Sequence, residues 1–227
     1  MPDAAASFDL ILFDLDGTLV ETAPDIADAV NDALRQMDLP ELSQQQISDW
    51  IGQGTLALLA QAVATSSART LAQVHAGALL AQTVAEYNRC YAQRCGQRSR
   101  LYPQVRETLI HLRARGVRLA VVTNKERRYT DTVLARLGLQ ALFDTVVSGD
   151  SFAVKKPDPT GVRHCLTQFG VAPERTLFVG DSSIDVATAR NAGVAVWLLP
   201  YGYNMGQPLA ACAPDRIIAD LSELQGG

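Results

Sequence analysis

Cysteine and histidine are scarce in this chain. Its four cysteines, Cys90, Cys95, Cys165 and Cys212, include no Cys-x-x-Cys pair, and there are only three histidines. Zinc sites draw on closely spaced Cys and His, so a zinc centre is not expected. The cysteines read as reduced thiols of a cytoplasmic protein rather than as a disulfide framework. Long apolar runs are missing as well: none approaches the roughly 18 residues needed to span a bilayer. No basic region followed by an apolar stretch and a cleavage site opens the chain, so neither a signal peptide nor a membrane partner is expected. A surplus of one charge is also lacking. Twenty Lys and Arg stand against 24 Asp and Glu, a formal net charge of −4, which argues against a nucleic-acid partner. Basic residues gather only from Arg94 to Arg100, where a solvated helix end is expected.

What the chain does have is apolar bulk. With 227 residues and 48% of them hydrophobic, it can bury one large core, or a core and a smaller lobe. The organising stretch is Phe8 to Val20, FDLILFDLDGTLV. Its first half is an apolar run of strand length, as expected for a strand covered on both faces. It stops in Asp14-Leu15-Asp16-Gly17-Thr18. Two carboxylates one residue apart at a strand end are costly unless something pairs with them. Gly17 permits a tight turn and Thr18 can hydrogen-bond it. An acidic turn before a helix is the plain reading; a metal-binding, phosphate-attacking pair is the functional one.

Thr22 is a candidate N-cap for a helix from Ile26 to about Met37, with Pro24 and Asp25 in its first turn. Helices are also expected at about Ser43–Trp50, Thr55–Ala64, Thr70–Arg94 and Gln104–Arg115. Alanine and glutamine abound before Arg98 and β-branched runs are absent, so 22–98 reads as a helical lobe inserted into a core made of 1–21 and 99–227. The ends of the lobe and Gln97-Arg-Ser-Arg100 are candidate hinges. Ile51-Gly-Gln-Gly-Thr55 interrupts two lobe helices. No strand precedes it and a third glycine is missing, so it is not a dinucleotide fingerprint. It is either a helix–helix turn or a loop whose backbone N–H groups at Gly52 and Gly54 face a substrate.

Further strands are expected at Val117–Thr123, Phe143–Ser148, Arg175–Gly180, Val194–Leu199 and Arg216–Ala219. Strands alternating with helices predict an α/β fold with a doubly wound, Rossmann-like parallel sheet, whose ligands sit at the carboxyl ends of the strands. Each strand end there carries chemistry. Thr123-Asn124 offers a hydroxyl beside a helix start, a phosphate-binding arrangement. Lys156, held before Pro157 on a rigid loop, is a point charge for phosphate. Asp181 and Asp185 sit four apart, on one face of a helical turn. Four carboxylates and one lysine suggest a hard, oxygen-preferring Mg²⁺. Asp14 is then the nucleophile, and Asp16 protonates the leaving alkoxide and afterwards activates water. Thr123 and Lys156 hold and neutralise the phosphate oxygens.

These motifs, in this order, resemble those of the haloacid-dehalogenase-like (HAD) hydrolases. The resemblance implies the same roles, with Asp14, the main-chain carbonyl of Asp16, and Asp181 as metal ligands, and Asp185 supporting them and Lys156. The long insert before Thr123 resembles the helical cap of the first insertion type, which is expected to close over the core. Thr22-Ala-Pro-Asp-Ile, Trp50-Ile-Gly-Gln-Gly, Lys156-Pro-Asp-Pro, Gly180-Asp-Ser-Ser-Ile-Asp and Tyr201-Gly-Tyr-Asn are similar to bacterial phosphoglycolate phosphatases. This similarity implies a Mg²⁺-dependent phosphomonoesterase acting on a small molecule, 2-phosphoglycolate first, as a monomer or homodimer. N-acetylmuramic acid 6-phosphate and other sugar phosphates, a β-phosphoglucomutase-like mutase, and a phosphate-binding regulatory module stand as alternatives.

Overall fold

In the computed structural model, which describes residues 8–226, strand β1 (Leu10–Phe13) is buried along its whole length. Such a strand needs a neighbour on each edge and a layer on each face. Its neighbours are β4 (Arg118–Val122) and β6 (Thr176–Gly180), both parallel to it. β5 (Thr145–Val147) extends the sheet beyond β4, and β7 (Ala195–Leu198) and β8 (Arg216–Ile217) extend it beyond β6, again in parallel. The spatial order β5-β4-β1-β6-β7-β8 reverses direction at β1. The crevice between the ends of β1 and β6 is therefore the switch point where doubly wound sheets bind ligands. This is the α/β architecture expected from the strand and helix alternation.

Alternation along the strands divides the apolar core in two. Ile11, Phe13, Leu119, Val121, Leu177 and Val179 point to the face covered by α6 (Val105–Ala114) and α7 (Arg127–Arg136). Leu10, Leu12, Ala120, Val122 and Phe178 point to the other, covered by α8 (Thr160–Phe169) and α9 (Ser183–Ala192). This is the period of two that a strand imposes on its side chains. The first cluster continues through Leu15, Leu19 and Val20 into a group of helices between β1 and β4.

Those helices are α1 (Ala23–Gln36), α2 (Gln44–Ser48), α3 (Thr55–Ser67), α4 (Leu71–Ala76) and α5 (Ala78–Arg94). α1 places Ile26, Val30, Ala33 and Leu34 on one buried stripe and packs along α5, the spacing of an amphipathic helix. Two linkers join the helices to the sheet and pair with each other as antiparallel β2 (Val20–Glu21) and β3 (Arg100–Leu101). Beside them the buried Asp25 carboxylate accepts hydrogen bonds from the main-chain N–H groups of Gly96, Arg98 and Ser99, at 3.0, 2.8 and 2.9 Å, and from the Ser99 hydroxyl.

Several expectations are corrected. The helix expected over Thr70–Arg94 is two helices, because Gly77 is extended (φ −104°, ψ 164°) and both ends α4 and begins α5. Thr22 stands at the start of α1, but its hydroxyl caps nothing and is buried without a partner. The first N–H of α1, at Ala23, instead donates to the Tyr203 hydroxyl at 3.0 Å. The Arg94–Arg100 cluster is not simply solvated: Arg94 and Arg98 pair with Asp28, and Arg94 also with Asp32, all on α1. All four cysteines are free, and among the described residues no helix is long and apolar enough to cross a membrane. The first seven residues, assigned above to the core, lie outside the described residues.

Candidate active site

β1 ends at Phe13, and the Asp14 N–H donates to the Val179 carbonyl of β6 at 3.0 Å. This contact closes the switch point and sets Asp14 beside the exit of β6. There Gly180 leads into Asp181 and the first turn of α9. A Cβ on Gly180 would lie 2.4 Å from the Asp185 carboxyl carbon, so only glycine lets that carboxylate fold back over the strand end. The Asp185 Oδ2 accepts from the Asp181 and Ser182 N–H groups and the Ser182 hydroxyl at 3.1, 3.0 and 2.8 Å. Its Oδ1 accepts from the Lys156 ammonium at 2.7 Å, and the same ammonium lies 2.8 Å from Asp14 Oδ2. Lys156 thus bridges the ends of β1 and β6.

Carboxylate oxygens of Asp14, Asp181 and Asp185 lie within 4.8 Å of one another, all buried. Among the described residues Asp181 has no cation beside it. Its oxygens accept from the Thr18 hydroxyl at 2.7 Å and the Tyr203 N–H at 2.6 Å. Three buried carboxylates against one ammonium leave an excess of negative charge, which is costly away from water. Burial pushes Asp14 up to about 6, with Lys156 opposing and Asp185 adding to the rise. Burial, then the charges of Asp185 and Asp14, push Asp181 well above the ordinary carboxylate value. For Lys156, burial works against the charge, but Asp14 and Asp185 outweigh it and raise the ammonium's pKa. An all-oxygen donor set with surplus negative charge fits a hard divalent cation.

Asp16 faces a different partner. Its two oxygens lie 3.0 and 3.2 Å from the Lys125 ammonium, which also sits 4.9 Å from the centre of the Tyr91 ring on α5. The Thr123 hydroxyl oxygen accepts from the Lys125 N–H at 3.2 Å, leaving its proton free to donate. Asn124, expected at the phosphate, has its side chain committed to backbone. Its amide donates to the Gly52 carbonyl at 2.9 Å and the Lys156 carbonyl at 3.1 Å, and its oxygen accepts from the Lys156 N–H at 2.8 Å. It fixes the Lys156 loop and the glycine turn against the end of β4.

A cavity of about 40 Å³ lies between sheet and helices, lined among others by Asp14, Asp16, Thr123, Lys125, Gly52 and Gly54. The structure thus brings Gly52 and Gly54 (φ 123° and 93°) to the same cavity as the acidic turn. Thr55, just after them, donates to Glu126 Oε2 at 2.9 Å. Sequence reasoning missed Lys125, Thr18 and Tyr203. Lys125 was visible as a lysine following a strand end, but its neighbour Lys156 already supplied the expected charge. Nothing in the sequence joins Tyr203 to Asp181, 22 positions away.

Comparison with known proteins gives the chain's family. A family model described as haloacid dehalogenase-like hydrolase matches residues 11–199. A phosphoglycolate phosphatase of Haemophilus influenzae is 40% identical over 96% of this chain and 96% of its own length. One from Vibrio cholerae is 38% identical with the same coverage of both chains. The crystal structure of a predicted phosphoglycolate phosphatase from Haemophilus somnus superposes with TM-score 0.89 at 38% identity, covering 96% of each chain.

Proposed function

Since the chain belongs to the haloacid dehalogenase-like hydrolase family, we propose that it is a Mg²⁺-dependent phosphomonoesterase hydrolysing 2-phosphoglycolate to glycolate and phosphate. The observation that carries this reading is the buried constellation of Asp14, Lys156, Asp181 and Asp185 at the switch point. The name of the relatives at 38–40% identity over nearly their whole length supports the substrate.

An Asp14 oxygen attacks phosphorus in line with the ester oxygen, and the P–O bond to the leaving group breaks. Asp16 gives its proton to the departing alkoxide, and its carboxylate then takes a proton from the water that attacks the aspartyl-phosphate. That second displacement breaks the bond between Asp14 and phosphorus and releases inorganic phosphate. Lys156 and Thr123 hold the transferring oxygens, and N–H groups of the Asn124 turn lie beside them. Asp14, the main-chain carbonyl of Asp16, and Asp181 would hold the Mg²⁺, with Asp185 orienting them. When bound, the ion supplies positive charge against the repulsion between carboxylate and phosphate. The helical lobe, 22–98, acts as a cap that opens to admit substrate and closes to exclude water.

The test is kcat/KM with Mg²⁺ for 2-phosphoglycolate beside N-acetylmuramic acid 6-phosphate and glucose phosphates. A lead of a hundredfold for 2-phosphoglycolate, about 2.7 kcal/mol of transition-state discrimination, is the expected outcome; a sugar phosphate in the lead would overturn the substrate. Asp14→Asn should abolish phosphate release, and release that survives would refute the nucleophile assignment.

A further inference from the structure

The phosphate end of the cavity is crowded with groups, whereas the end that would receive the rest of the substrate is not. The apolar and aromatic part of the cavity lining is Ile26, Ile51, Leu58, Tyr87 and Tyr91. Among the charged residues lining the cavity, Asp14, Asp16, Lys125 and Glu126, only Lys125 is a cation. Lys156, the other buried ammonium, is engaged by Asp14 and Asp185. Glu126 is held by Thr55.

The Lys125 side chain is 4% exposed. An ammonium has three donors. Two face the oxygens of Asp16 at 3.0 and 3.2 Å, and the third has no acceptor among the described residues. Beneath it lies the face of Tyr91, which attracts a cation without using up a hydrogen bond. The charge is therefore fixed in place, next to the one side chain that hands a proton to the ester oxygen.

This position constrains what can be attached to that oxygen. In a 2-phosphorylated hydroxy acid the carboxylate hangs from the carbon that carries the ester oxygen. When that oxygen contacts Asp16, the carboxylate comes within hydrogen-bond reach of a cation adjacent to Asp16. We infer that Lys125 is the specificity-determining residue of this site, donating its free N–H to an α-carboxylate of the substrate while its other donors hold Asp16. The inference rests on the phosphomonoesterase reading and deepens it to a substrate class: phosphate esters of small 2-hydroxy acids. A charge-assisted hydrogen bond in a cavity shielded from water discriminates strongly against a ligand lacking the anion, because that ligand leaves the donor unmatched.

The test compares 2-phosphoglycolate with 2-hydroxyethyl phosphate, which has the same ester oxygen and carbon count but no carboxylate. Steady-state kinetics with Mg²⁺ are measured on the wild type, Lys125→Met and Lys125→Arg. The wild type should favour 2-phosphoglycolate by a hundredfold or more in kcat/KM. Lys125→Met should lower that ratio at least tenfold, with much of the loss in KM for the carboxylated substrate, and Lys125→Arg should restore part of it. A Lys125 that merely supports Asp16 would slow both substrates alike, so an unchanged ratio in Lys125→Met overturns the inference while leaving the phosphatase reading intact. A wild type without preference overturns the 2-phosphoglycolate reading itself. Should Lys125→Met fail to fold, Lys125→Gln, which keeps a donor but no charge, is read by the same ratio.

Discussion

Asp14 carries a conflict between burial and charge that has a measurable consequence. Its carboxyl is pushed from 3.8 up to about 6 by burial, with Lys156 opposing and Asp185 and Asp16 contributing. In the folded chain it therefore holds a proton over a window, about pH 4 to 6, in which the unfolded chain has released it. A group with a raised folded pKa contributes stability that is complete below the unfolded value and is lost as pH rises through the folded one. The metal-free protein should accordingly lose up to about 3 kcal/mol of stability between about pH 4 and 6. Urea unfolding in EDTA across that range should show this slope, and Asp14→Asn should reduce it, the raised Asp181 carboxyl carrying the rest. Added Mg²⁺ should recover stability at the upper end, because a cation among the carboxylates compensates the charge exposed by deprotonation. A slope unaffected by Asp14→Asn would mean that another group carries the proton.

Two short linkers join the sheet to the helices of residues 22–98 and, in the proposed cap, are where it would turn. β2 and β3 have two residues each, too few for backbone pairing to hold a crossing by itself. Asp25 supplies the remainder: one buried carboxylate gathers three main-chain donors and a hydroxyl from 96–99 onto the start of α1. Asp25→Ala would leave those donors unmatched, the buried Ser99 N–H and hydroxyl among them. The expected cost is about 2–4 kcal/mol in urea unfolding, with a rise in KM as the lobe loses its fixed pivot. Asp25→Asn, which keeps one acceptor oxygen, should lie between. If Asp25→Ala unfolds at the wild-type midpoint, the linkers are held by packing instead.

At the scale of the whole molecule, a few polar contacts lie over an apolar core that runs without a break from the sheet to the helices of 22–98, and the proposed closure would depend on them. Among them Asn124 joins three segments: the end of β4, the Gly52 turn of the lobe and the Lys156 loop. Asn124→Ala should cost about 1–3 kcal/mol of stability. It should also lower kcat/KM for 2-phosphoglycolate tenfold or more, since both the lobe and Lys156 lose their common support. Near wild-type kinetics would show that the lobe closes without this junction.

The parallel sheet and the acidic, hydroxyl and basic residues at its strand ends were legible because each depends on a local pattern. A buried strand must be apolar along its length, and a functional group at its end must interrupt that pattern abruptly, as Asp14, Thr123 and Asp181 do. The break at Gly77 between α4 and α5 was missed, because a single glycine inside an alanine-rich pattern also fits a continuous helix. What only the tertiary structure decided are pairings between segments far apart in the chain. The side chain of Asn124 turned out to support its neighbours rather than to reach for phosphate. Tyr203 grips Asp181 through its N–H and Ala23 through its hydroxyl, and Lys125 meets Asp16 across 109 positions. Local propensity carries no information about such partners. They are selected by the desolvation cost of buried polar groups, which each must meet with whatever donor or acceptor the folded chain brings within reach.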